Sequence, residues 1–405
     1  MTPRPFALLA ELTHRCPLRC PYCSNPTELV RPGRELAAGE WTRVLREAAE
    51  LGVLHAFFSG GEPLLREELP DLVGAAHGAG LYTNLITSAH GLARARLEKL
   101  AAAGLDSVQI SLQSDEAPLA DAVAGAAAHA RKLEACGWVR ELGLPLTINV
   151  VIHAGNVDRV DRLVALAERL GAHRLELANV QFYGWAFENH ARLLPSRASL
   201  DGAARVAEAA RARLRGKLEI LFVLPDWHGD RPKPCMNGWG RRQLTVDPEG
   251  RVLPCPTAGA IPGMRFDSVR EKPLADIWAR SEAFERFRGT DWLPEPCRSC
   301  DRREVDFGGC RCQAALVTGD PAATDPACAL APARQKLVEL VARSQGAGPG
   351  DFGPKLHALR YRENPPACLF WSSPAQSGSI ASCSSTSSAG ALSSALARTL
   401  SGSAR

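Results

Sequence analysis

The sequence predicts an α/β fold: an open, partial version of the eight-unit (β/α) barrel, with its chemistry at the C-terminal ends of the strands. Three observations carry this expectation. Short strand-like runs alternate with amphipathic helical stretches from the start to about residue 225. The helical stretches stop at glycines suited to a left-handed C-cap. A chain of 405 residues, 45% hydrophobic and 23% charged, has enough apolar material for a large core.

The strands are expected at Ala7 to Thr13, Leu54 to Phe58, Tyr82 to Thr87, Ser107 to Leu112, Leu146 to Val151 and Arg174 to Val180. Between them lie helices such as Trp41 to Leu51, stopped by Gly52, and Val157 to Leu170, stopped by Gly171. This order builds a parallel sheet with right-handed crossovers, in six units. From Cys235 to Cys328 the composition shifts to Cys, Gly, Pro and Arg, with strand-turn-strand character at Gln243 to Val246, Asp247 to Gly250 and Arg251 to Pro254. So few long apolar runs cannot build a large core, so metal staples are expected to order this region. Helix returns at Leu274 to Phe287 and near Gln335 to Ala342. The expected domains are therefore residues 1–225, 226–345 and a C-terminal extension, 346–405. Beyond about Phe370 the extension should be disordered, with thirteen serines and no acidic residue among the thirty-four residues Ser372 to Arg405.

A net charge of +4 with dispersed basic residues argues against a nucleic-acid surface. No stretch approaches the roughly 20 apolar residues of a membrane helix, so a cytoplasmic protein is expected. Eleven of the thirteen cysteines precede residue 330, and they cluster at metal-ligand spacings, as expected for ligation in a reducing compartment. Cys136 alone among those stands outside an array and should be a small buried apolar residue. Cys16, Cys20 and Cys23 form a Cys-x3-Cys-x2-Cys array on a proline-stiffened loop directly after the first strand. Three thiolates on a four-iron cluster leave one iron open, and an open position signals catalysis. Zinc with a fourth ligand elsewhere is the alternative.

With Tyr22 just before its last cysteine, the array resembles the defining motif of radical S-adenosylmethionine (SAM) enzymes. The resemblance implies a 4Fe-4S cluster on Cys16, Cys20 and Cys23, whose open iron binds SAM and whose electron yields a hydrogen-abstracting 5'-deoxyadenosyl radical. Ser59-Gly60-Gly61-Glu62-Pro63 is similar to the family's Gly-Gly-Glu-Pro segment, which contacts the SAM amino group. Gly60 and Gly61 permit close backbone approach, and Glu62 offers an acceptor. By the same resemblance Tyr22, Ser111, Gln113 and Asn149 belong to the SAM site. Thr83, Asn84, Thr87 and Ser88 on the third strand are further polar candidates.

The second array, Cys235, Cys255, Cys297-x2-Cys300, Asp306, Cys310, Cys312 and Cys328, resembles the SPASM extension of peptide-modifying radical SAM enzymes. Asp306 stands where that extension has a cysteine, and Cys312 compensates. The resemblance implies two auxiliary clusters, 2Fe-2S or 4Fe-4S. One would use Cys235, Cys255, Cys310 and Cys312; the other would use Cys297, Cys300, Asp306 and Cys328. Position alone leaves open that Asp306 is a solvated loop residue. The runs Ala10 to Pro26, Val180 to Ala186 and Cys297 to Asp306 are similar to the radical SAM proteins of pyrroloquinoline quinone (PQQ) biosynthesis, over roughly residues 5 to 345. That resemblance implies a carbon-carbon crosslink between a Glu and a Tyr of a small precursor peptide. It also implies a peptide-chaperone protein and a flavodoxin-like or ferredoxin-like reductant. Another SPASM-type modifier, sulfatase-maturating or thioether-forming, is the enzymatic alternative, and a non-catalytic metal-stapled binding protein is the alternative from another class.

Overall fold

The computed structural model describes residues 2–344 and 358–364. The expected disorder beyond Phe370, with Cys368 and Cys383, lies outside the described residues. Each expected strand is present, with ends shifted by two residues or fewer: β1 (Ala7–Glu11), β2 (His55–Ser59), β3 (Tyr82–Thr87), β4 (Ser107–Leu112), β5 (Leu146–Ile152) and β6 (Arg174–Asn179). β7 (Glu219–Phe222), β8 (Gln243–Val246) and β9 (Val252–Leu253) complete a nine-stranded sheet of order β7-β6-β5-β4-β3-β2-β1-β8-β9. All neighbours are parallel except β8 and β9.

The period of two along each strand explains the layers. Leu8, Ala10, Ala56, Phe58, Leu85, Val108, Ile110, Leu175 and Leu177 are wholly buried on the face covered by helices. Burying a Leu or Phe in this way contributes roughly 1.5–3 kcal/mol each. The alternate residues Leu9, Phe57, Gln109, Ser111, Asn149 and Glu176 are only half-buried and face the open interior of the partial barrel. Register partners such as Ser111 and Asn149 thus stand side by side on the interior face.

The helices are α1 (Ala38–Glu50), α2 (Leu69–Gly78), α3 (Arg94–Ala102), α4 (Ala117–Ala124), α5 (His129–Glu141), α6 (Val160–Arg169), α7 (Gly184–Glu188), α8 (His190–Leu193) and α9 (Arg197–Arg213). In α1 the buried residues Trp41, Val44, Leu45 and Ala48 follow helical spacing, and the chain turns away at Gly52, φ +96°. Cys136 is wholly buried on α5, as its apolar setting predicts.

Three expectations change. The sheet has more than six strands, because the hairpin read as part of the cysteine-rich region joins the barrel: β8 pairs with β1 and covers what would otherwise be an open edge. The stretch Val157 to Leu170 is a short 3-10 turn, Val157–Arg159, followed by α6. The helix expected over Leu274 to Phe287 is two, Leu274–Arg280 and Glu282–Glu285, because Ser281 is extended, φ −65° and ψ 135°.

Candidate active site

β1 ends at Glu11; the Leu12 amide still bonds Ser59 O at 3.0 Å, and Thr13 then meets the turn after β2. The Gly61 and Glu62 amides donate to Thr13 O and Arg15 O at 2.6 and 2.7 Å. A Cβ on Gly60 would stand 2.3 Å from Thr13 O, and one on Gly61 would stand 2.1 Å from Arg15 O. The two glycines therefore exist to let this turn press against the cysteine loop. On the other side the Trp185 amide donates to Cys23 O at 3.2 Å, and a Cβ on Gly184 would lie 2.7 Å from that oxygen. The loop is clamped from both sides.

Glu62 is wholly buried and its carboxylate is fully engaged. Oε1 accepts from Thr87 Oγ1 at 2.6 Å and Leu64 N at 3.2 Å, while Oε2 accepts from Ser88 N at 2.8 Å and Ser88 Oγ at 2.5 Å. Those four donors occupy the positions a carboxylate offers, so Glu62 anchors the turn to β3 and has little capacity left for a ligand. Among the other candidates on β3, Thr83 Oγ1 bonds Asp106 at 2.9 Å and Asn84 Nδ2 bonds Ser107 Oγ at 2.7 Å.

At the end of β4, Lys132 Nζ donates to Ser111 O at 3.1 Å and Gln113 Oε1 at 2.5 Å, and Gln113 Nε2 lies 4.0 Å from Cys20 Sγ. Tyr22 lies beside Gln113 and Cys20 and stacks on His153, ring centres 5.8 Å apart. Burial pushes all three thiols up, Cys20 to about 11. Opposing it are two buried cations: Lys132 chiefly at Cys20, Arg362 chiefly at Cys16 and Cys23. Three soft donors on a glycine-cradled loop, with cations behind them, suit a bound cluster of net negative charge.

The second array resolves into two groups. Cys235 and Cys312 each lie beside both Cys255 and Cys310, so the four thiols form a ring. Thr257 Oγ1 bridges Cys255 and Cys312 at 3.2 Å to each. Among the described residues no three donors close around a point as a single metal ion requires. Cys297, Cys300, Asp306 and Cys328 instead line one cavity with Arg231 and Thr324. Asp306 is buried, at 6% exposure, and takes the Gly308 amide at 3.1 Å, so it is not a solvated loop residue.

Sequence reasoning missed several residues here. Lys132 is one; nothing on α5 sets it apart from a surface lysine. Tyr183, inside a quoted run but given no role, lies beside the four-thiol ring, one residue before the glycine packed on Cys23. Asp325, wholly buried, accepts from Cys310 N at 2.6 Å and Ala327 N at 2.9 Å, while its own carbonyl takes Cys328 N at 2.9 Å. It thereby ties the two groups together. Burial, with Cys310 beside it, pushes its carboxyl up to about 7.

An open parallel sheet with a three-thiol loop at the C-terminal end of its first strand defines a radical SAM protein, and two family models agree. The Radical SAM superfamily matches residues 10–180, and the SPASM iron-sulfur cluster-binding domain matches residues 235–301. A PqqA peptide cyclase of Methylobacterium sp. (strain 4-46) is 55% identical over 339 residues, 84% of this chain and 89% of the relative. One from Streptomyces rochei is 52% identical over 345 residues, 85% of this chain and 94% of the relative. This chain belongs to the PqqA peptide cyclase family. Among solved structures, Streptococcus suis SuiB bound to S-adenosylmethionine aligns with TM-score 0.66 at 20% identity, over 78% of this chain and 75% of that one. The AdoMet-bound anSMEcpe aligns with TM-score 0.59 at 15% identity, over 87% of this chain and 94% of that one. These two share the fold. No helix among the described residues is long and apolar enough to cross a membrane.

Proposed function

We propose that this protein is the radical SAM enzyme of PQQ biosynthesis that joins a Glu and a Tyr side chain of a precursor peptide through a carbon-carbon bond. The observation that carries the reading is identity above 50% to PqqA peptide cyclases over most of both chains. Cys16, Cys20 and Cys23 hold the catalytic 4Fe-4S cluster, and Ser111, Gln113, Asn149, Tyr22 and the Gly60-Gly61 turn line the SAM site. When bound and reduced, cluster and SAM together supply the 5'-deoxyadenosyl radical that takes one hydrogen atom from the peptide. The second hydrogen would leave as a proton, with an auxiliary cluster held by the second array as the acceptor for its electron, so the peptide would lose two hydrogens per crosslink. Cys235, Cys255, Cys310 and Cys312 hold one auxiliary cluster, and Cys297, Cys300, Asp306 and Cys328 hold the other. A peptide-chaperone protein delivers the substrate and a flavodoxin-like or ferredoxin-like protein supplies electrons.

Reduced protein incubated with SAM and precursor peptide should yield 5'-deoxyadenosine and a peptide lighter by two hydrogens, with Glu and Tyr linked by tandem mass spectrometry. Product of unchanged mass, or a thioether in place of the crosslink, would sink the reading. Asp306→Ala should perturb the second auxiliary cluster and lower crosslinking far more than SAM cleavage, because the radical is generated at the other site. Asp306→Cys should retain the cluster with a shifted potential, since thiolate donates more strongly than carboxylate. Unchanged spectra and unchanged crosslinking in Asp306→Ala would remove the ligand role.

A further inference from the structure

Residues 358–364 lie well beyond both family models, which end at residues 180 and 301, yet they run across the three-thiol loop. Asn364 pairs with the Cys16 peptide in both directions: its Oδ1 takes the Cys16 amide at 3.1 Å and its Nδ2 donates to Cys16 O at 2.6 Å. The Arg362 amide donates to Arg19 O at 3.2 Å, and Arg19 Nε returns a bond to Arg362 O at 3.3 Å. Tyr361 Oη reaches Ala122 O at 3.1 Å. Asn189 completes the attachment: it exchanges two bonds with the Arg360 backbone, 2.8 and 2.7 Å, and donates to Pro21 O at 2.9 Å. The segment is thus stitched to the cysteine loop directly at residues 16 and 19 and, through Asn189, at residue 21.

Its central side chain is unusual. Arg362 is 1% exposed, and its guanidinium bonds His14 O and, at 2.8 Å, Asn364 Oδ1, while Nε has no hydrogen-bond partner. The Trp185 ring lies under the cation at 5.8 Å. Among the described residues no carboxylate forms an ion pair with it. A buried charge without a counter-charge is strongly disfavoured. The loop that Arg362 is held against is the three-thiol loop: its guanidinium bonds His14 O, its amide bonds Arg19 O, and its partner Asn364 holds the Cys16 peptide on both sides.

We infer that residues 358–364 are part of the catalytic site, with Asn364 positioning the Cys16 peptide and Arg362 acting as counter-charge to the cluster held there. This rests on reading Cys16, Cys20 and Cys23 as its ligands. Adding an electron makes a thiolate-bound cluster more negative, so a fixed cation beside it favours the reduced state and raises the potential. Arg362 touches the ligand loop and not the reacting atoms, so it is a positioning residue.

The test is a redox titration of the full-length, reconstituted protein followed by electron paramagnetic resonance, reading the signal that SAM perturbs. Arg362→Gln should move that signal to a more negative potential, and Arg362→Lys, which keeps the charge, should return most of the shift. Cys16→Ala should lack the signal. Equal potentials in wild type and Arg362→Gln, with the signal absent from Cys16→Ala, would overturn the counter-charge role alone. Loss of the signal in both Arg362 variants would overturn it too, because the retained charge would then count for nothing. A signal persisting in Cys16→Ala would overturn the ligand assignment on which the proposal stands. Asn364→Ala, with the charge in place, should lose SAM-responsive signal to a chelator several-fold faster at unchanged potential; an unchanged rate would remove Asn364 from the site.

Discussion

Alanine in place of Cys16, Cys20 or Cys23 is expected to abolish SAM cleavage while the barrel stays folded and both auxiliary groups keep their iron. Each change removes one of the three thiols that the loop presents, and among the described residues no other cysteine lies beside them. The fold should tolerate it. All three side chains lie outside the strands, and the wholly buried residues of β1 to β6 are untouched. The apolar neighbours of Cys16 and Cys20 are a small group around Leu18, Ala124 and Ala128, so truncation leaves a small defect, about 1 kcal/mol. The check is 5'-deoxyadenosine formation under strong reductant, beside iron content and circular dichroism. Normal 5'-deoxyadenosine in any of the three variants would refute the assignment.

Gly61→Ala should be nearly as severe by a different route. Its added methyl would meet three backbone atoms of the His14-Arg15 segment, the closest at 2.1 Å, and backbone cannot rotate out of the way as a side chain can. Either the turn after β2 or the cysteine loop must move, which breaks the Gly61 and Glu62 amide bonds to that loop. A loss of roughly 2–4 kcal/mol in stability is expected, with catalytic-cluster iron falling first. Chemical denaturation and iron analysis would measure both, and a Gly61→Ala protein with wild-type midpoint and iron would contradict the close packing. Gly78→Ala is the control: it lies in α2 and nothing stands within 4 Å of the added methyl.

The sheet was legible where periodicity was strong. β3 and β4 match their expected bounds because Tyr82 to Thr87 and Ser107 to Leu112 carry a clear strand pattern between glycine stops. β7 was not legible: Glu219–Phe222 is four residues long, with only Ile220 wholly buried, too short a signal to separate from loop. The partnership of β8 with β1 was hidden for another reason, since a strand's neighbour is set by tertiary contact and not by its own pattern. In the site, the cysteines were legible because ligand chemistry demands few residue types at tight spacing. Lys132, Asp325 and Arg362 were not, because a buried charge is spelled the same way as an exposed one. Glu62 was seen but its duty was not: its four protein donors come from Leu64, Thr87 and Ser88, and a turn motif gives no hint of them.

The ladder between β1 and β8 binds the first strand of the chain to a hairpin more than two hundred residues later. Contacts of such sequence separation form late and slowly, since a long loop must close before the pairing repays it. A nascent chain released before Val246 would carry β1 as a bare edge, with Leu8 and Ala10 lacking their neighbour on that side, a template for pairing with other chains. Shortening this protein to its first family domain is therefore a poor route to a smaller soluble enzyme. The barrel and the cysteine-rich segment should melt as one cooperative body, and a cut at residue 225 divides one sheet between two fragments.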